Sequence, residues 1–210
     1  MPRYSYRMRN IQIHPSAEVH ESVSLGDLVK VWQMSHVREN VSIGSNSNIG
    51  RNVYIGPGVR IGDNCKIQNN SLIYEPAVLG DGVFIGPGVI LTNDAYPRAV
   101  NSDGLIKSEK DWVAVGVVIE EGASIGANSV CIAPVKVGAW SLIGSGAVIT
   151  KDVIPYSLMV GNPARQIGWV GKAGVPLVKL DSDVYECPSS GKCYKVINSK
   201  IVEFSEGDIA

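Results

Sequence analysis

Aliphatic residues recur at every sixth position over the first half of the chain. They run Ile13, Val19, Leu25, Val31, Val37, Ile43, Ile49, Ile55, Ile61, Ile67, Ile73, Leu79, Ile85 and Leu91 without a gap. After an interruption the period resumes as Val113, Ile119, Ile125, Cys131, Val137, Ile143 and Ile149. A fixed short period of this kind signals a repeat architecture, and a period of six signals a parallel β-helix built from hexapeptides. Each hexad then supplies one short strand and one turn. Three hexads close a coil of eighteen residues, and coils stack about 4.8 Å apart by parallel strand pairing. Residues 13 to 155 hold roughly twenty hexads, or nearly seven coils.

The other hexad positions agree. The second is usually Gly, as at Gly26, Gly44, Gly50, Gly56, Gly62, Gly80, Gly86, Gly126, Gly138 and Gly144. The fourth is usually Asn, Gly or Asp, as at Asn40, Asn46, Asn52, Gly58, Asn64, Asn70, Gly82, Gly88, Gly122, Asn128, Gly146 and Asp152, residue types that tolerate a left-handed backbone and so mark a corner. The fifth is small or β-branched (Ser47, Val53, Val59, Cys65, Ser71, Ala77, Val83, Val89) and should pack beside the aliphatic residue. The pattern divides the chain into an N-terminal arm (1–12), a β-helix (13–156) with an inserted loop (93–112), a cap segment (157–180) and a small β-hairpin tail (181–210).

The interruption spans Leu91 to Val113, one hexad plus sixteen extra residues. It is polar, punctuated by Pro97 and Gly104, and bounded by Tyr96 and Trp112. Long loops of this sort in compact domains are functional or disordered, and the aromatic ends favour an ordered one that packs on something. Taken as a ruler, the repeat places Glu75 under Asn93 and Tyr74 under Thr92. With a sixteen-residue insertion, Gly126 and Gly144 continue the Tyr74 column, and Ala127 and Ser145 continue the Glu75 column. Polar side chains then lie below the loop. Above it, small residues leave a groove for a long thin ligand. Gln68, Tyr74 and Thr92 each replace the Gly expected at their position.

Charge and cysteine content remove several alternatives. Nineteen basic residues against twenty acidic ones leave no electrostatic footprint for nucleic acid. Arg3, Arg7 and Arg9 are followed by no apolar stretch, and no segment is long and apolar enough to span a membrane, so the expected location is the cytoplasm. Cys65 and Cys131 fall at core positions. Cys187 and Cys193 form one pair without partners, which is a poor zinc site. His14, His20 and His36 are 6, 16 and 22 residues apart, never the eighteen needed to stack, so no metal site is expected.

Five local stretches carry a resemblance. The loop opening Leu-Thr-Asn-Asp-Ala-Tyr-Pro-Arg-Ala (91–99) and the closing Val-Gly-Asn-Pro-Ala-Arg-Gln-Ile-Gly (160–168), with the hexads, resemble the left-handed β-helix acyltransferases. Val-Trp-Gln-Met-Ser-His-Val (31–37), Lys-Ile-Gln-Asn-Asn-Ser-Leu-Ile-Tyr-Glu (66–75) and Thr-Asn (92–93) are similar to the nucleotide-linked 3-amino-sugar N-acetyltransferases of bacterial surface-polysaccharide synthesis. The resemblance implies an all-β, left-handed parallel β-helix, acetyl-CoA as donor, and a homotrimer with active sites between subunits. It implies that Asn93 holds the sugar or acetyl group near the reacting amine, with Gln68, Tyr74 and Glu75 on the sugar side together with Asp94 and Arg98. Arg165 would face the nucleotide end of the coenzyme, and Gly126, Ala127, Gly144 and Ser145 would line its groove. Amine attack on a thioester needs an oxyanion donor, for which a backbone N–H of the Gly126 or Gly144 column is the candidate, and a destination for a proton. His36 and Glu75 are the candidate bases, and the leaving thiolate is the third route. An O-acetyltransferase of the same fold and a non-catalytic β-helix scaffold are the alternatives.

Overall fold

The computed structural model describes residues 10–198 and 200–204, with the side chain of residue 109 left out. The first nine residues of the expected N-terminal arm lie outside the described residues; Gln12 already pairs with Lys30.

Two-residue strands follow one another at six-residue intervals and wind into a three-sided parallel solenoid, the architecture of the left-handed hexapeptide β-helix. Face 1 carries the strands Gln12–Ile13, Lys30–Val31, Asn48–Ile49, Lys66–Ile67, Phe84–Ile85, Ser124–Ile125 and Leu142–Ile143. Face 2 carries Glu18–Val19, His36–Val37, Tyr54–Ile55, Leu72–Ile73, Ile90–Leu91, Val130–Cys131 and Val148–Ile149. Face 3 runs from Ser24–Leu25 to Val135–Val137. The strands are short because the corner comes every sixth residue. Asn40, Asn46, Asn52, Asn64, Asn70 and Asn128 take positive φ there, and so do Leu28, Met34 and Trp140, against their intrinsic preference. Asp152 does not; its Oδ1 accepts a hydrogen bond from Lys136 N instead (2.8 Å).

The core is a column of stacked aliphatic residues. Ile49, Ile55, Ile67, Ile73, Ile85, Leu91, Ile125 and Ile143 are fully buried, and the fifth-position residues from Ser47 to Val89 pack between them. Two departures from an uninterrupted eighteen-residue stacking matter for the site. Across the loop the register is Leu79 to Ile119, Ile85 to Ile125 and Leu91 to Cys131, so the insertion is twenty-two residues. Val113 therefore does not resume the column, and it is 83% exposed. Near the top, Ile143 pairs with Met159, so the last coil is two residues short and Val160, not Asn162, follows Gly144.

Beyond the solenoid, Ser157–Val160 and Arg165–Trp169 form an antiparallel pair that closes face 1. An antiparallel four-stranded meander follows, with strands Val178–Lys179, Val184–Glu186, Cys193–Ile197 and Lys200–Phe204. It has a second small core of Cys187, Tyr194 and Ile201 packed on Tyr156, Trp169 and Leu177, which ties the tail to the top of the solenoid. The four cysteines are free. Burial raises the Cys65 thiol pKa and pushes that of Cys131 up to about 12. An alkylating reagent at mildly alkaline pH should label Cys193 in the native protein and reach Cys65, Cys131 and Cys187 only after unfolding. Peptide mass mapping reads the result, and rapid native labelling of Cys65 or Cys131 would contradict the packing.

Candidate functional site

The corner between faces 2 and 3 holds Tyr74 and Thr92, two of the residues that interrupt the glycine pattern. Strand Leu72–Ile73 delivers Tyr74 and Glu75 to it, and strand Ile90–Leu91, one coil above, delivers Thr92 and Asn93. Asn93 lies over Glu75 as the ruler requires, and its Nδ2 donates to Glu75 Oε1 at 3.3 Å. Glu75 Oε2 is buried with no hydrogen-bond partner among the described residues. Thr92 is occupied with structure: its Oγ1 accepts from Ala133 N at 2.9 Å, which sutures the coil across the inserted loop.

Beneath this pair an aromatic ladder descends face 2. Tyr74 packs on Tyr54 (centroids 5.3 Å apart), and Tyr54 meets His36 edge-on at 5.7 Å. His36 has a half-exposed ring 4.0 Å from the Glu18 carboxylate, and it lies three strands below Ile90 on the same sheet. Beside it the Arg38 guanidinium forks onto Glu39 (2.9 and 3.1 Å); a bond from Glu39's own backbone, and then this fork, hold that carboxyl below the usual carboxylate range. Asn93, Glu75, Tyr74, Tyr54 and His36 thus form one continuous strip about three coils, or ~14 Å, long.

The loop rises from the upper end of that strip. Its two ends are tied by Val115 N donating to Asn93 O at 3.0 Å. Asp94 Oδ1 accepts from Tyr96 N (2.8 Å), a local turn, and Arg98 bonds the carbonyl of Pro97. Asp94 and Arg98, with Lys107, Ser108 and Trp112, line an open depression of about 480 Å³. Tyr96, expected to pack, is 86% exposed in the single chain, and Leu105 and Ile106 near it are also bare.

The corrected register changes which small residues stand over Asn93. Above Asn93 come Ala133 and then Lys151, and above Thr92 come Ile132 and Thr150. Gly126, Ala127, Gly144 and Ser145 belong to the neighbouring corner, between faces 1 and 2, in line with Gln68 and Gly86. The sequence ruler misplaced them because it took the insertion as sixteen residues instead of twenty-two. At that corner the glycines permit close stacking: a Cβ at Gly126 would lie 2.5 Å from Ser145 N. Gln68 therefore also sits one corner away from Tyr74 and Glu75 within the chain. Lys151 shares a depression of about 280 Å³ with Thr150, Asp152, Ala164 and Arg165. Lys151 thus stands at the upper end of the same corner, about two coils or ~10 Å above Asn93, and Arg165, on the strand that closes face 1, lines the same depression.

Tyr54 and Lys151 escaped the sequence reading. Tyr54 occupies an ordinary outward strand position, and Lys151 joins the column only when the loop is counted at its observed length. Among the described residues, no group of three or more His, Cys, Asp or Glu is placed to hold a metal ion.

The repeats have known counterparts. A model of the bacterial transferase hexapeptide (six repeats) matches residues 40–75 and 58–93, and a model of the hexapeptide repeat of succinyl-transferase matches 116–151. A dTDP-3-amino-3,6-dideoxy-alpha-D-galactopyranose 3-N-acetyltransferase of Aneurinibacillus thermoaerophilus is 42% identical over 79 residues, 37% of this chain and 40% of that protein. The bifunctional protein GlmU of Thermotoga maritima is 58% identical over 57 residues, 26% of this chain and 13% of its own. The chain thus spans less than half the length of these curated relatives. A hexapeptide-repeat acetyltransferase of Vibrio cholerae, solved with acetyl coenzyme A, superposes with a TM-score of 0.50 at 24% identity, over 63% of this chain and 72% of its own, which is a likeness of fold.

Proposed function

We propose that this chain, whose coils are hexapeptide repeats of the bacterial transferase type, is an acetyl-CoA-dependent N-acetyltransferase acting on the amino group of a nucleotide-linked 3-amino sugar. The observation that carries the reading is the Glu75–Asn93 pair, a carboxylate and an amide joined at a corner between an aromatic strip and a cationic depression. The similarity to a dTDP-3-amino-sugar N-acetyltransferase supports the choice of an amine acceptor and of a dTDP- or UDP-linked sugar.

Each part has a role. The sugar lies along Tyr74 and Tyr54 with Asp94 and Arg98 as further contacts and Gln68 reaching it from a neighbouring chain, its amine beside Glu75 and Asn93. Acetyl-CoA runs up the corner past Ala133, with its phosphates toward Lys151 and Arg165. The amine nitrogen attacks the thioester carbonyl, the tetrahedral intermediate collapses, and the C–S bond breaks. The amine proton passes to Glu75 or to the departing thiolate; the Gly126 and Gly144 N–H groups expected to meet the oxyanion are bonded to Ile143 O and Met159 O, and Asn93 Nδ2 takes that role. His36 serves the distant end of the sugar nucleotide, or the reaction of a neighbouring subunit.

The assembly that suits this site is a homotrimer. Glu75 and Asn93 lie at one corner and Gly126, Ala127, Gly144 and Ser145 at another, so both sets line one cleft only where corners of two chains meet. The apolar outward residues Leu72, Ile90, Val130 and Val148 on face 2 and the bare Leu105 and Ile106 of the loop supply surface for that contact. The reaction belongs to the cytoplasm, in the making of sugars for bacterial surface polysaccharide. The structure carries no helix long and apolar enough to cross a membrane among its described residues.

A panel of dTDP- and UDP-linked 3- and 4-amino sugars, incubated with acetyl-CoA and followed by free thiol, tests the function. Turnover on an amine is expected; silence on every amine with turnover on a sugar hydroxyl would convert the reading to O-acetyl transfer. Lys151→Ala and Arg165→Ala are each expected to raise KM for acetyl-CoA roughly tenfold, as loss of a charged hydrogen bond would, and to leave KM for the amino sugar unchanged. An unchanged KM for the coenzyme in both would move the coenzyme off this corner.

A further inference from the structure

At three hexads of the solenoid an Asp or Asn at the third position caps the coil beneath it. Asp63 Oδ1 accepts from Ser45 N (2.6 Å), Asp81 Oδ1 from Asp63 N (2.8 Å), and Asn69 Oδ1 from Arg51 N (2.8 Å). For Asp63 and Asp81 the accepting oxygen rests over the second-position glycine of the lower coil, Gly44 or Gly62, where a Cβ would collide with it. The cap is a latch: an anion or amide oxygen held by a backbone N–H eighteen residues earlier.

Glu75 repeats the placement and lacks the bond. Its Oε2 rests over Gly56 in the same slot, and a Cβ at Gly56 would strike it. The N–H that should meet it belongs to residue 57, which is proline and has none. That is the physical reason Oε2 is buried without a partner. The other prolines at this hexad position orphan nothing. Pro87 lies beneath Ala127, which has no side-chain acceptor, and Pro15 lies beneath Gln33, which leaves no buried unpaired atom.

We infer that Pro57 is a positioning residue for the proposed acetyl transfer: by withholding one backbone N–H it leaves the Glu75 carboxylate unlatched, free to turn from its slot to the amine of the bound amino sugar. The inference rests on the role given to Glu75 above. It also accounts for the contrast with Asp63 and Asp81, which share the slot and are spent as caps.

The test is Pro57→Ala, alone and in a Glu75→Ala background. Alanine keeps the backbone conformation available to proline and restores the N–H. A crystal structure of the variant should show residue 57 N bonded to Glu75 Oε2, as Ser45 N is bonded to Asp63. Its kcat on the accepted amino sugar should fall about tenfold, the cost of breaking one charged hydrogen bond per turnover, with KM for acetyl-CoA unchanged and no loss of thermal stability. In the Glu75→Ala background the same substitution should change kcat less than twofold, because the residue it acts through is gone. Wild-type kcat in Pro57→Ala, an equal loss in both backgrounds, or an Oε2 still unpaired in the variant would each overturn the inference. The failures are distinguishable. A wild-type protein that turns over no amino sugar sinks the transfer reading itself, whereas an active wild type with an equally active Pro57→Ala sinks only the latch.

Discussion

Replacing Asn93 with alanine is expected to lower kcat/KM on the amino-sugar substrate by about 10²–10³, the usual loss when a donor to a developing oxyanion is removed from an acyl-transfer site. The fold should not change. Asn93 is half-buried at a corner, and the backbone carbonyl that ties the loop to Val115 remains in the variant. Stability should fall by no more than about 1–3 kcal/mol, the cost of leaving Glu75 Oε1 without its donor. Thermal unfolding by circular dichroism separates the two effects. Asn93→Asp sharpens the point, since it sets a second carboxylate where the amide now donates to Glu75 Oε1 at 3.3 Å and replaces a hydrogen bond with a like-charge contact. It should be no more active than the alanine variant. Near-wild-type kcat/KM in either would remove this corner from the chemistry.

The second large effect lies in the core. Ile85 is fully buried on face 1 between Ile67 below and Ile125 above, and the coil crossing at Ile85 to Ile125 is the one where the loop departs. Ile85→Ala should cost about 2–5 kcal/mol through lost burial and the cavity left behind. A chain of this length loses about 2–4 °C per kcal/mol, so the thermal midpoint should fall by about 5–15 °C. The same change at Ile13, at the half-exposed lower end of the column, should cost far less, because a solenoid residue is stabilised by the neighbours stacked on both sides. Equal losses at the two positions would mean that the column is not the cooperative core.

Most of the fold was legible because the repeat converts distance along the chain into position in space. The aliphatic column, the buried fifth positions and the asparagine corners follow from the period, and so does Asn93 above Glu75. The failures share one cause, which is that a ruler is only as good as its count across a break. The apolar residue at 113 fell on the six-residue grid by coincidence and made the loop look six residues shorter than it is. That error carried Gly126 and Gly144 to the wrong corner and hid Lys151. The two-residue shortening before Met159 had no sequence signal of comparable strength, since Ile154 and Pro155 read simply as the end of the helix. At the site itself, sequence located Glu75 and Asn93 through the residues that replaced glycine. It could not show that Glu75 shares its slot with the capping aspartates, because that depends on where a side-chain oxygen rests and not on spacing.

Under the proposed function the amine to be acetylated meets Glu75 and Asn93 at the corner between faces 2 and 3. A crystal structure of the full chain with coenzyme A and an accepted amino sugar tests it most directly. The account predicts the amine nitrogen within hydrogen-bond distance, about 2.7–3.2 Å, of Glu75 or Asn93, with the coenzyme thiol beside it and the phosphates near Lys151 and Arg165. An amine seated in the loop depression of Arg98 and Trp112, or at Gly126 with neither Glu75 nor Asn93 within reach, would contradict it.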